Sequence, residues 1–478
     1  MIEVPAIIGA LAVIAVMGLR PIRLMNLATV LHAVAILFWA GYAVLAKQLP
    51  LFFQNSHYFF LDALGAYEIL ISAIIFLLAS IYAAGYVSSL IEAGELNQKN
   101  VRLFYAVFNL LLSSVVFAFS SNNMALLWIF AELTTVFSAI LIVLLNAKEN
   151  ITAAIKYVFI TSTAMLFSFV GLILLFAAAK QADAGATLNW SELIQSAPEL
   201  SSPLLAFSLA LIFIGFAAKS GIAPFHTWLP PAHSKAPSDV SVLLSGSILN
   251  IGIYAILRIY SLSYHTPVQE LFSWILLVFG LATVGIAALS MVVRTNLKKL
   301  IAFSSIEHMG IMTIGISVGA IIWVLYYSLA HSLAKALLFF SAGIFHRQYH
   351  GIKAEFMHDI FDMQPLASWG FAIGSMAVLG MPLFPIFLPK FFILAQLGKV
   401  SVVLLLLALL LLLIVAGSFV WFGMQLIQHK EKELPKYAVP FSMKFPIIIL
   451  ILLLLVLGLY YPEGMRLFLE KAVQQIGI

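Results

Sequence analysis

The chain is a succession of long apolar runs separated by short polar or charged breaks. The runs lie at approximately 4–19, 26–46, 60–85, 102–119, 124–146, 153–179, 203–225, 238–260, 271–292, 298–318, 320–345, 367–397, 401–426 and 445–461. A helix needs about 20 mostly apolar residues to cross the hydrocarbon of a bilayer. The pattern therefore predicts an all-α integral membrane protein of about 14 transmembrane helices. The N-terminus lacks the basic start of a cleaved signal peptide, so Val4 to Leu19 reads as a retained first span. Glu463 to Gln475 follows the last run as an amphipathic tail. No linker rich in Gly, Ser or Pro marks a second domain.

Composition agrees with a lipid-facing surface. Of 478 residues, 63% are hydrophobic and 9% charged, where soluble domains carry roughly 25% charged residues. Cysteine is absent, which excludes disulfides, thiolate metal sites and cysteine-ligated iron–sulfur clusters on this chain. No cofactor is expected here, and any redox centre belongs to a partner. The net charge of +5 comes from basic residues scattered between apolar runs, so no nucleic-acid partner is expected.

Loop charges set an orientation. Arg20, Arg23, Lys99, Arg102, Lys148, Lys156, Lys235, Arg294, Lys298, Lys299, Arg347, Lys353, Lys430, Lys432, Lys436 and Lys444 fall on one side. Only Lys47, Lys180, Arg258, Lys399, Arg466 and Lys471 fall on the other. The first side is expected to be cytoplasmic, with both termini outside, in a cell's inner membrane. Trp190, Tyr264 and Tyr461, at span ends, read as interface anchors.

Three lysines remain inside spans: Lys219, Lys335 and Lys390. A charge near the bilayer centre costs about 3 kcal/mol on insertion scales, and such residues persist with a partner or a task. Glu132, in WIFAELTTVF, lies too deep to reach the interface easily. It reads as a proton or ion site, or as a structural hydrogen bond between helices. Lys219 precedes Pro224, where the helix is expected to break. Breaks at membrane depth line cavities or are buried in protein, and a lysine beside one can give up its proton; the other reading is a lysine reaching out from a helix end. Pro382, Pro385 and Pro389 interrupt the span that holds Lys390. The two broken helices are the seventh and twelfth, and their odd offset points to an inverted repeat of helices four to eight and nine to thirteen.

His331 and Lys335 are four residues apart and share a helix face, which suits a proton relay; a polar packing stripe is the alternative. Glu307 and His308, in FSSIEHMGIM, are adjacent and point about 100° apart, so they need not act together. A satisfied interior histidine is an equal reading of His308. His226 and His233 flank the seventh break, with Asp239 the nearby acid, and no metal is expected there. Neither a phosphate-cradling GxxxxGK loop, a dinucleotide fingerprint nor a Ser/His/Asp set is apparent.

The stretch from Lys219, KSGIAPFHTWLPPAHSKAPSDVSVLLSGSILN, resembles the signature of the antiporter-like membrane subunits of complex I, Mrp cation/proton antiporters and group 4 [NiFe] hydrogenases. FLDALGAY, RTNLKKLIAFSSIEHMG, HSLAKALLFF and GMPLFPIFLPKFFIL look like further motifs of that superfamily. SIEHMG looks most like hydrogenase-4 component F. The resemblance implies two inverted five-helix repeats, with 1–100 an N-terminal three-helix segment, 101–261 and 270–428 the repeats, and 443–478 a last helix and tail. It implies Glu132 and Lys219 as a coupled acid–lysine pair, His331 and Lys335 as the central relay, and Lys390 as the terminal charge. The function implied is proton translocation, with sodium as the other candidate, in a redox-driven membrane complex. Other membrane subunits and a peripheral redox module would be its partners, and iron–sulfur clusters with NiFe or flavin would sit on those partners. A gradient-driven Mrp-type antiporter is the rival. Asn250 stands where the eighth helix often carries a lysine, and an amide cannot pass a proton as a lysine does.

Overall fold

A computed structural model describes the protein at residues 3–45, 49–53, 56–182, 187–200, 203–264, 266–429 and 435–478. Lys47, Lys430 and Lys432, which enter the loop-charge count, lie outside the described residues. The described elements are, in order, α1 (Glu3–Gly18), α2 (Ile22–Leu45), β1 (Leu51–Phe53), β2 (Ser56–Leu61), α3 (Ala63–Glu92), α4 (Val101–Phe119), α5 (Met124–Val143), α6 (Lys148–Gln181), α7 (Trp190–Ser196) and α8 (Pro203–Lys219). After them come α9 (Leu229–Lys235), α10 (Ser238–Leu243), α11 (Leu249–Tyr264), α12 (Gln269–Met291), α13 (Leu297–Ser317), α14 (Ile321–Tyr349) and α15 (Ile360–Met363). The last are α16 (Pro365–Leu379), α17 (Phe387–Val400), α18 (Val402–Ile427), α19 (Phe441–Leu459) and α20 (Glu463–Gln475).

The protein is a multi-pass helical membrane protein. Eleven described helical segments are long and apolar enough to cross a membrane; α10 and α11 count as one, joined by a π turn at Leu244–Ile248. Three further apolar helices, α1, α8 and α16, are shorter. Two features were not visible in the hydropathy pattern. A two-stranded antiparallel hairpin, β1–β2, precedes α3, and α7 interrupts the loop before α8.

Burial is uneven among the helices. The apolar window of Ser238–Tyr264 is 100% buried, that of α13 94% and that of α14 89%. Those of α18 and α19 are each 28% buried. Leu-rich α18 and α19 thus present hydrocarbon outward, while α11, α13 and α14 hold the polar residues inside, where neighbouring helices can satisfy them.

Asparagine and aspartate caps start several helices by accepting otherwise orphaned amides. Asn123 does so for α5, Asn296 for α13 and Asp62 for α3. Asp62 has a second task. Arg258 of α11 grips its carboxylate from both nitrogens, at 2.7 and 2.8 Å, and the pair is buried. Trp190 covers the guanidinium at 4.3 Å and donates Nε1–H to the Arg258 carbonyl. Trp190 is therefore an interior residue and not an interface anchor, and Arg258 is not a loop charge.

The two expected breaks are present. After Lys219 the chain turns through Gly221, at φ +72°, into a single 3-10 turn at Phe225–Trp228 and then α9. The freed backbone groups are rescued from other side chains. Trp228 donates to the Ala218 carbonyl at 2.9 Å, and Thr283 of α12 accepts from the Ala223 amide at 3.0 Å. The second break runs from Gly380, at φ +75°, to Ile386, and places Pro382 and Pro385 in non-helical backbone. Gly458 of α19 lies against it so closely that a Cβ would meet the Leu383 carbonyl oxygen at 2.0 Å.

Candidate functional site

Lys219 ends α8 with its side chain fully buried. Its Nζ donates to the Ala131 carbonyl at 2.7 Å and to Thr135 Oγ1 at 2.6 Å, both on α5. Glu132 belongs to the same turn of α5 and is half-buried. Ser162 of α6 donates to Glu132 Oε2 at 2.8 Å, and Oε1 is buried without a hydrogen-bond partner. The acid and the lysine are thus neighbours held apart, Lys219 by two neutral acceptors on α5 and Glu132 by a single donor from Ser162.

Five further titratable residues meet where α13, α14 and α17 converge. Lys390 Nζ lies 3.2 Å from Glu307 Oε1 and also donates to the Val378 carbonyl at 3.2 Å. Glu307 Oε2 lies 3.5 Å from His308 Nε2, so these adjacent residues do meet despite diverging on the helix. His308 Nδ1 pairs with the Tyr327 hydroxyl at 2.6 Å. The rings of His308 and His331 are 5.1 Å apart, and neither nitrogen of His331 has a hydrogen-bond partner among the described residues. One turn on, Lys335 donates to Ser304 Oγ and to the Ile301 carbonyl at 3.3 Å. All these side chains are buried. Lys390, Glu307, His308, His331 and Lys335 therefore form a continuous buried line. Carboxylates, imidazoles and amines can each change protonation, and such a line can hand a proton along given water between the groups.

The break residues separate. His226 is half-buried near Phe303, and Pro224 is exposed. His233 is buried and stacked on Phe339 at 4.7 Å, with no partner for either ring nitrogen. Among the described residues no group of three or more His, Cys, Asp or Glu could hold a metal. A cavity of about 440 Å³ opens near the expected cytoplasmic loops, lined in part by Glu95, Lys235, Lys298, Lys299, His346 and Lys353.

Several buried charges escaped the sequence reading. Asp239 and Lys298 are buried, and Lys298 donates to the Ala236 carbonyl at 2.9 Å. Glu68 of α3 is 3% exposed. Asn250 Nδ2 donates to its Oε2 at 3.2 Å and Ser328 Oγ to its Oε1 at 2.9 Å. The signal was there. Glu68 lies well inside an apolar run, as Glu132 does, and carries the same depth signal.

Residues 121–416 match the family described as NADH:quinone oxidoreductase/Mrp antiporter, TM. The chain belongs to this family. The antiporter-family stretch holds every residue of the line from Glu132 to Lys390, while Glu68 and Asp62 precede it. Relatives include a hydrogenase-4 component F homolog of Methylacidiphilum infernorum, 30% identical over 71% of this chain and 72% of the relative. NADH-quinone oxidoreductase subunit M of Rickettsia prowazekii is 30% identical over 64% of this chain and 62% of its own length. The antiporter-family fold recurs in solved structures. A chain of an archaeal membrane-bound sulfane sulfur reductase matches with a TM-score of 0.85 at 22% identity, over 99% of this chain and 96% of that one. A chain of respiratory complex I from Thermus thermophilus matches at 0.82 and 20%, over 100% and 99%. One of the Mrp complex of Dietzia sp. DQ12-45-1b matches at 0.79 and 18%, over 100% and 96%.

Proposed function

We propose that this antiporter-like subunit carries protons across the cytoplasmic membrane within a complex I-related, redox-driven assembly, one that is hydrogenase-linked. The observation that supports it is the line of buried titratable side chains in the family-matched region. A soluble-style core gains nothing from buried lysines, and a membrane core loses about 3 kcal/mol for each. The hydrogenase-4 component F homolog and the NADH-quinone oxidoreductase subunits among its relatives favour a redox-driven complex. In this reading the three short apolar helices join the eleven long ones to give fourteen spans. Helices four to eight and nine to thirteen form inverted repeats over 101–261 and 270–428, and both termini lie on the outer side. Iron–sulfur clusters and NiFe or flavin sit on partner subunits.

The mechanism is electrostatic. Redox chemistry in a partner shifts a charge at one end. Glu132 and Lys219, held apart by Ser162, Thr135 and the Ala131 carbonyl, then close or open. Proximity of opposite charge stabilises the protonated lysine and separation in an apolar site releases the proton. The change passes through water to Lys335 and His331, then to the Glu307–Lys390 pair, which opens to exchange a proton at the far side. A gradient-driven, Mrp-type antiporter is the second reading, favoured by the fold match to the Mrp complex.

Purification from the native membrane in mild detergent, followed by mass spectrometry, tests the choice. The expected result is co-purification of hydrogenase- or dehydrogenase-like subunits with iron–sulfur proteins. Recovery of small membrane subunits alone would reject the redox-driven reading.

A further inference from the structure

We propose that Glu68 is a proton-carrying site that joins the Lys219 half of the protein to the His331–Lys335 relay. The proposal rests on the reading above that the buried line conducts protons.

The gap it fills is visible in the geometry. Lys219 ends α8, and Ser220 next to it touches α11 at Gly252, where a Cβ would meet Ser220 Oγ at 2.0 Å. Two residues back on α11, Asn250 donates both to Glu68 Oε2 and to Ser332 Oγ, each at 3.2 Å. Ser332 follows His331 and lies three residues before Lys335 on α14. Glu68 also accepts from Ser328 Oγ, one turn earlier on that helix. Hydrogen bonds thus tie Glu68 to the helix of Lys335 and, through Asn250, to the helix packed against Lys219.

The surroundings suit a group that changes protonation. Among the described residues no ion pair closer than 4 Å holds Glu68. Its partners are an amide and a hydroxyl, and both kinds of group can donate to a carboxylate or accept from a carboxylic acid. Asn250 Oδ1 is buried with no partner, so an acceptor is in place for a protonated Glu68. A purely structural acid would be expected to sit against a fixed cation, as Asp62 sits against Arg258. Glu68 does not. A buried carboxyl at this depth that no cation neutralises is by default a functional group.

The test uses the native complex in inside-out membrane vesicles from strains carrying chromosomal variants. A pH-sensitive dye reports proton uptake, and electron transfer is followed in parallel. Glu68→Gln keeps the shape, and its amide can accept from Ser328 while donating to Asn250 Oδ1, so the complex is expected to assemble, shown by immunoblot, and to lose most of its proton uptake per electron. Adding Asn250→Lys to Glu68→Gln returns a titratable group to the same spot and is expected to restore part of the uptake. Wild-type uptake in Glu68→Gln would overturn the proposal, as would a loss that the added lysine leaves unchanged, because that marks a structural role. Lys219→Ala in the same preparation separates the two levels. If it loses uptake while Glu68→Gln does not, only the role of Glu68 fails; if it keeps uptake, the translocation reading itself fails.

Discussion

At the residue scale, the two acid–lysine arrangements differ in a way that governs how each responds to mutation. Glu307 and Lys390 are in contact and buried, so removing one partner strands the other. Loss of one member of a buried pair costs about 3–5 kcal/mol, whereas replacing both by neutral groups is often close to neutral. Glu307→Gln is therefore expected to lower the thermal unfolding temperature of the purified complex, and Glu307→Gln with Lys390→Met to recover most of the loss. Equal melting of all three proteins would show that the pair is not closed in the membrane. Glu132 and Lys219 are bonded to neutral groups and not to each other, so Glu132→Gln is expected to change stability little and translocation greatly. Asp62 and Arg258 carry a third pattern, a two-pronged ion pair that also caps α3. Arg258→Lys keeps the charge but loses the fork and the stacking on Trp190. It is expected to destabilise the complex measurably, as read by the same melt, without abolishing proton uptake in what remains folded.

At the element scale, the broken helices do the positioning. Gly221 takes a left-handed conformation, and a Cβ there would meet Leu229 Cδ1 at 2.7 Å. Gly221→Ala is expected to cost about 1–3 kcal/mol and to shift the end of α8, so that translocation falls more than assembly; unchanged uptake would show that Lys219 does not depend on this turn. The elements were largely legible beforehand, for a physical reason. Lipid forces every backbone polar group to pair within its own segment, so spans announce themselves as apolar runs and breaks as prolines. What the chain concealed was short or long-range. The β1–β2 hairpin is too brief to stand out from a loop. Contact between Glu307 and Lys390 joins residues 83 positions apart, and helical geometry alone gave no reason to pair them. Glu307 and His308 were expected to diverge, and side-chain bending brings them together. Trp190 looked like an anchor because its place at a span end, not its burial, is what a sequence displays. Glu68 shares the depth of Glu132, but its hydrogen-bond partners Asn250 and Ser328 are long-range and invisible in the sequence.

At the scale of the whole molecule, the proposed route draws its polar side chains from several buried helices. The side chains from Lys219 through Asn250 and Glu68 to Lys335, Glu307 and Lys390 come from five helices, α8, α11, α3, α14 and α13, and from α17 beyond the second break. Leu-rich α18 and α19, whose apolar windows are each 28% buried, contribute none of these side chains. In the proposed mechanism, such an arrangement lets charge at one end be felt at the other through a low-dielectric interior, where electrostatic interactions are strong.

The central claim is that Lys219 releases and regains a proton. Proton uptake per electron in inside-out native vesicles, compared between wild type and Lys219→Arg, tests it most directly. Arginine keeps the positive charge but does not deprotonate in proteins, so the account predicts an assembled complex whose proton uptake is lost. Uptake at the wild-type ratio in Lys219→Arg would contradict it, since a fixed charge at this position would then suffice.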